Sequence, residues 1–234
     1  MRPRPLRLLL VPLAAVACAR AGGGTGAAVA SAAPRADIAL SAESIVGADS
    51  VLVRLTTTRG DVDLVVRRHW APAGAARVGE AVAAGYYDGA RFFRALRGFV
   101  VQFGIAADTA MSAAWRARAI PDDPVTQSNR RGSLVFAAGG PNTRTVQLFI
   151  NLRDNARLDA LGFAPVGEVV AGMDAVDALY TAYGEGPPSG SGPNQRDIGQ
   201  QGEAYLAREF PLLDRIVRAR VVRAWPAPAS DASR

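Results

Sequence analysis

The chain has 234 residues, 49% of them apolar and 21% charged, which fits a globular protein with a full-sized core and excludes a disordered chain. The formal charge is +6, but Arg2, Arg4 and Arg7 sit at the very start and the other arginines are scattered among carboxylates without forming a basic stripe, so no nucleic-acid partner is expected. One cysteine permits no intramolecular disulfide, and one histidine, His69, excludes a His-rich metal site and any HExxH motif.

Arg2, Arg4 and Arg7 form a basic head before apolar Leu8–Ala17, a run too short to span a bilayer, so residues 1–17 read as a signal peptide. Its removal would lower the charge from +6 to +3. Ala15-Val16-Ala17-Cys18 leaves two readings open. Small residues before a lone cysteine resemble a bacterial lipobox, which would make Cys18 the lipidation site and anchor the chain to a membrane of the cell envelope. Ala15 departs from that motif's usual leucine. The other reading is ordinary signal-peptidase cleavage after Ala17 and secretion. Residues 18–50, rich in Ala, Gly and Ser, read as a flexible tether.

The folded domain is expected over 51–223, with a disordered Pro/Ala tail at 224–234. Val51–Thr57 and Val62–Val66 are β-branched runs separated by Arg59-Gly60, the pattern of a hairpin. Arg59-Gly60-Asp61 also spells an integrin-recognition tripeptide, but in this setting it reads as turn chemistry. Pro72 opens a helix with Val78 and Val82 on one stripe, and Gly85 stands where a left-handed cap is wanted. Strands are expected at Phe92–Leu96 and Phe99–Phe103, followed by a polar loop through Pro121-Asp122-Asp123-Pro124.

Further strands are expected at Ser133–Ala138, Val146–Asn151, Val166–Val170 and about Asp214–Val222. Met173–Tyr180 reads as a helix, Gly184–Pro193 as a loop and Glu203–Glu209 as a short extra helix. Many short strands with two substantial helices and no βαβ rhythm argue for a mainly β protein built on an antiparallel closed barrel.

His69 follows a strand beside Trp70 and Pro72 and reads as a surface residue, and no serine lies in a G-x-S-x-G elbow. Two segments carry unusual chemistry: Phe92-Phe93-Arg94-Ala95-Leu96-Arg97-Gly98-Phe99-Val100-Val101-Gln102, and Phe136 to Ile150. Strict alternation would put Arg94 on the strand face of Phe92 and Leu96, with Gln102 opposite Val101 and Phe103, and Gln147 with Phe149. An arginine on an apolar face needs partners for its donors or a ligand. The residues alone leave both readings open, an arginine satisfied by nearby carbonyls or one that faces a ligand.

These segments, with Thr58-Arg59-Gly60-Asp61, Ala71-Pro72, Gly85-Tyr86-Tyr87-Asp88-Gly89, Leu158-Asp159 and Gly167-Glu168-Val169-Val170-Ala171-Gly172-Met173-Asp174, occur in an order that resembles the cyclophilins from about Val51 to Val222. The resemblance implies an eight-stranded antiparallel closed barrel capped by two α-helices, and peptidyl-prolyl cis-trans isomerase activity without a cofactor or metal. Residue by residue, it implies Arg94 as the catalytic arginine, with Gln102 and Phe99 beside it. Ala137, Ala138, Gln147, Phe149 and Leu158 fall on the proline pocket and peptide groove, and Phe163 is the candidate for the remaining wall.

Four departures from the family pattern stand out. Phe93 replaces a frequent histidine, Ala138 replaces a common asparagine, and Arg157 replaces the tryptophan or histidine that contacts cyclosporin in many members. Near Gly162-Phe163 there is an added residue and no groove histidine. Gly162-Phe163-Ala164-Pro165 and an insertion at about 183–213 resemble a bacterial branch. The expected partners are proline-containing polypeptides, and the expected state is monomeric. A non-catalytic module that holds proline-containing segments in the same groove is the alternative reading.

Overall fold

The computed structural model describes residues 40–225, so the leader, Cys18, most of the tether and most of the tail lie outside the described residues. The folded unit starts before the expected boundary at Val51. Ser41 caps a short helix, α1 (Ala42–Gly47), by accepting from the Ser44 N–H at 3.1 Å, and Ile45 is buried in the main core. Its apolar side chain therefore places this stretch in the fold and not in a tether.

The expected hairpin is present as β1 (Ser50–Thr57) and β2 (Gly60–Arg67), paired antiparallel with Thr57 opposite Gly60. Val51, Val53 and Leu55 alternate inward and face Val62, Leu64 and Val66, while Arg54 and Asp63 form a bidentate pair on the outside. Helix α2 (Pro72–Ala83) begins at its proline, contributes Val78 and Val82 to the same core, and is followed by Gly85 at φ +67°.

The remaining strands are β3 (Arg94–Ala95), β4 (Val100–Phe103), β5 (Ser133–Phe136), β6 (Leu148–Asn151), β7 (Pro165–Ala171) and β8 (Ile216–Trp225). They join β1 and β2 in one eight-stranded sheet of order β3-β4-β6-β5-β7-β2-β1-β8, and every pairing is antiparallel. On β4, β5 and β6, Val101, Phe103, Leu134, Phe136, Leu148 and Ile150 point into the main core. The alternate positions on these strands, including Val100, Gln102, Val135 and Phe149, face the other way. Those outward positions define the site.

The expected helix after β7 appears as α4 (Met173–Asp177), and Glu203–Glu209 is helical as expected, here α6. Besides α1, two further helices and a 3-10 turn among the described residues were not anticipated. Within the stretch read as a polar loop, α3 (Thr109–Arg116) is capped by Asp108, which accepts from the Met111 N–H at 2.7 Å. Asn194 caps α5 (Gln195–Gln201), and Ala156–Leu161 forms the 3-10 turn. A second core, made of Phe93, Ile105, Ile198, Tyr205, Leu206 and Leu213, ties α5 and α6 to the chain just before β3, with Tyr183 and Phe210 packed against it.

Candidate functional site

Strand pairing alone assembles the centre of the site. Arg94 stands opposite Gln102, Gln102 opposite Phe149, and Phe149 opposite Val135, which makes one row across β3, β4, β6 and β5. Val135 is buried in the apolar cluster with Phe149, and Arg94, Gln102 and Phe149 of this row line a cavity of about 650 Å³. All nine expected site residues line it: Arg94, Phe99, Gln102, Ala137, Ala138, Gln147, Phe149, Leu158 and Phe163. Cys18 lies outside the described residues.

The face assigned to Arg94 from alternation is corrected. Strand β3 is only Arg94–Ala95, so the alternation does not extend back to Phe92. Phe92 packs edge-on against Phe103 in the main core, with centroids 5.4 Å apart, and Ala95 joins that core. Arg94 therefore lies on the face opposite Phe92 and shares the cavity with Gln102. A turn between Leu96 and Phe99, with the Phe99 N–H donating to the Leu96 carbonyl at 2.9 Å, swings Phe99 away from Val101 and Phe103 onto the cavity side.

The polar side of the cavity is a short relay. Arg94 Nη1 donates to Gln102 Oε1 at 3.2 Å, and Gln102 Nε2 donates to Gln147 Oε1 at 2.8 Å. Gln102 is buried, so pairing both ends of its amide avoids the cost of a stranded polar group. The apolar side is the cluster of Val100, Val135, Phe149 and Leu158, with Phe99, Ala137 and Phe163 against it. Phe149 and Phe163 meet edge to face at 5.9 Å, so Phe163 does supply a wall. Phe99 carries the Arg94 guanidinium 5.9 Å from its centroid and that of Arg157 at 4.8 Å.

Leu158 and Phe163 are held from behind by a polar knot. Asp159 accepts from Ser128 Oγ at 2.6 Å, the Asn129 N–H at 2.8 Å and Asn129 Nδ2 at 2.7 Å, while Asn129 Nδ2 also donates to the Phe163 carbonyl. Burial opposes ionisation of Asp159, but the hydrogen bonds from Ser128 and Asn129 outweigh it and hold its carboxyl below the ordinary value.

One residue at the centre was missed entirely. Glu185, from the insertion after β7, accepts from Arg94 Nε at 2.8 Å with each of its oxygens, and Arg94 Nη2 lies 2.7 Å from Oε2. The side chains are 22% and 32% exposed, so the pair stands at the cavity wall and not in bulk water. The hydrogen bond from Arg94 is the main cause that holds the Glu185 carboxyl below its ordinary value. Arg116 of α3 and Gln195 of α5 also line the cavity, the first within the stretch read as a polar loop and the second just beyond the expected Gly184–Pro193 loop. His69 is exposed and is not among the lining residues.

Comparison with known proteins places this geometry. Residues 52–198 match the family profile of the cyclophilin type peptidyl-prolyl cis-trans isomerases. The chain belongs to the cyclophilin family. It is 31% identical over 136 residues to a peptidyl-prolyl cis-trans isomerase of Acinetobacter baylyi, covering 56% of this chain and 72% of that one. It is 32% identical over 135 residues to peptidyl-prolyl cis-trans isomerase A of Dickeya dadantii, covering 56% and 71%.

Among solved structures, a cyclophilin type peptidyl-prolyl cis-trans isomerase of Cryptosporidium parvum superposes with a TM-score of 0.53 at 20% identity, covering 76% of this chain and 99% of that chain. A second structure of that protein was determined in the presence of the dipeptide Ala-Pro, and matches with a TM-score of 0.53 at 19% identity over 74% of this chain and 99% of that one. The cyclophilin match ends at residue 198, so α6 and β8 lie beyond it, and Glu185 lies inside it.

Proposed function

We propose that the protein is a peptidyl-prolyl cis-trans isomerase that accelerates X–Pro rotation in polypeptides, with Arg94 as its catalytic donor and the cavity around Phe149 as its proline pocket. The observation that carries this reading is the row of Arg94, Gln102, Phe149 and Val135, which sets a guanidinium beside an apolar pocket of ring-holding size. The Ala-Pro dipeptide used with the Cryptosporidium relative supports proline-containing polypeptides as substrates.

The task is to twist an amide whose nitrogen–carbonyl resonance raises a barrier of ~18–20 kcal/mol. Near 90° the nitrogen becomes pyramidal and its lone pair localises. A guanidinium N–H directed at that lone pair stabilises the twisted amide more than either planar isomer, which is what catalysis requires. Phe99, Phe149, Leu158 and Phe163 hold the ring and exclude water, so the field of Arg94 is less screened. Gln102 and Gln147 steady the guanidinium and offer amide groups to the peptide backbone, and Ala137 and Ala138 form the edge along which it lies. No bond to substrate is made or broken, so no nucleophile or base is called on.

The finer architecture and the location belong to the same proposal. A closed barrel capped by α2 and α4 is supported by the bridge between Arg91 and Arg215, just ahead of β3 and β8, and by the Phe92 N–H donating to the Asp214 carbonyl at 3.0 Å. Residues 1–17 and Cys18 support work in the cell envelope on a lipid anchor. A protease-coupled proline-peptide assay on the chain lacking residues 1–17 tests the activity. Turnover is expected at micromolar enzyme, and none above the uncatalysed rate would leave the groove a binding module.

A further inference from the structure

We propose that Glu185 is a positioning residue for the isomerase reaction: the insertion after β7 is a built platform that grips one edge of the Arg94 guanidinium and aims its remaining donors into the cavity. The inference rests on the isomerase reading of the site. Three independent features of the structure carry it.

The first is the division of donors. Glu185 takes Nε and Nη2, one whole edge of the fork, and Gln102 takes Nη1 from the other side. A guanidinium held at both ends cannot rotate about its last torsion without losing charge-assisted bonds.

The second is the rigidity of the loop that presents the carboxylate. The Gly192 N–H donates to the Glu185 carbonyl at 2.8 Å, and the Gly186 N–H donates to Glu185 Oε1 at 3.1 Å. The chain folds so tightly on itself that a Cβ at Gly190 would lie 2.3 Å from the Glu185 carbonyl oxygen. One at Gly192 would lie 2.7 Å from that of Tyr183, and one at Gly186 would lie 2.5 Å from that of Pro193. Only glycine fits these approaches, so the Gly/Pro stretch is a formed turn that fixes Glu185.

The third is a shared foundation. Tyr183 packs edge to face on Tyr180 and on Phe210, each at 5.0 Å, against the second core. Phe93, the neighbour of Arg94, is 2% exposed in that same core. The insertion thus registers Glu185 and Arg94 against one apolar cluster. This also accounts for phenylalanine where the family often has histidine: at this position the ring is covered by α5, α6 and the loop, and an imidazole there would be buried.

The test compares the wild type with Glu185→Ala, Glu185→Gln and Glu185→Asp, each also made on Arg94→Ala, in a proline-peptide assay that resolves kcat from KM. Glu185→Ala is expected to lower kcat about ten- to a hundredfold with KM changed little, the size of a misaimed catalytic group. Glu185→Gln should fall between, and on Arg94→Ala none of the three should have any further effect. An Arg94 Nε–H resonance that exchanges slowly in the wild type and fast in Glu185→Ala reports the grip without reference to activity.

Facing Glu185 are Arg94 and the Gly186 N–H, and Arg116 is the other charged side chain lining the cavity. With its carboxyl held low by Arg94, Glu185 stays ionised to lower pH than an ordinary glutamate, so the wild-type kcat should fall as pH drops through that lowered value, and Glu185→Gln should show no such step. Glu185→Ala with wild-type kcat, or an equal loss on the Arg94→Ala background, would overturn the proposal. A wild type with no turnover would instead remove the isomerase reading, and the exchange measurement would still decide the grip.

Discussion

Arg94→Ala separates catalysis from folding at one position. The side chain is 22% exposed, belongs to neither apolar core, and is bound to Glu185 and Gln102 at the cavity wall. Its removal should cost little stability, about 1 kcal/mol, because an ion pair that keeps contact with solvent on both sides contributes about that much or less. The effect on rate should be far larger. One electrostatic donor aimed at developing charge contributes about 2.7–4 kcal/mol, or about 10²–10³ in kcat. Arg94→Lys keeps the charge but has no fork to span both Glu185 and Gln102, and should recover only part of the loss. The assay is protease-coupled isomerisation of a short X–Pro peptide, with urea melts of the same preparations. Arg94→Ala with kcat/KM within about twofold of the parent and an unchanged melt would refute the assignment, since the donor would be gone and the pocket intact.

Gln102→Ala should lower kcat/KM about tenfold, because it breaks the link between Arg94 and Gln147 and leaves Gln147 Oε1 without its donor; peptide titration calorimetry should show weaker binding as well. Phe93→Ala should destabilise by about 3–5 kcal/mol in urea melts, the cost of emptying a fully buried aromatic site. Asp159 has a folded-state carboxyl held below its ordinary value, so the stability it contributes is present above the ordinary aspartate range and is lost as pH falls through the lowered value. Asp159→Asn should flatten that acid-side slope in melts across a pH series. Cys18→Ala should move the protein from the membrane pellet to the soluble fraction if Cys18 carries a lipid.

The parts of the fold that could be read from the residues are those whose local pattern and tertiary role agree. The β1–β2 hairpin shows its alternation in Val51, Val53, Leu55, Val62, Leu64 and Val66, and α2 announces itself with Pro72 and the Val78–Val82 stripe. The short helices were obscured because a one- or two-turn helix is held by its packing more than by its propensity. Trp115 of α3 lies 5.3 Å from the Tyr86 ring, and Ile198 of α5 is fully buried in the second core, but neither contact has a local signature. The caps at Ser41, Asp108 and Asn194 were the available signals.

The site divides along the same line, and this changes what Arg94 is. Its partners on paired strands were legible because β pairing converts the segment pattern into adjacency: Gln102 is directly opposite, and Phe149 is opposite Gln102. Glu185 lies 91 residues further along, in a stretch with no period, and only the folded insertion brings it back. On the residue pattern alone, Arg94 was a cation on an apolar face in search of partners. In the structure its partners are two, a neutral amide within the sheet and a carboxylate supplied from outside it. A guanidinium clamped this way gives up some of its field to gain a fixed direction. For a reaction whose barrier lies in one lone pair at one angle, direction is the more valuable property, because a donor that is strong but misaligned stabilises the planar and the twisted amide alike.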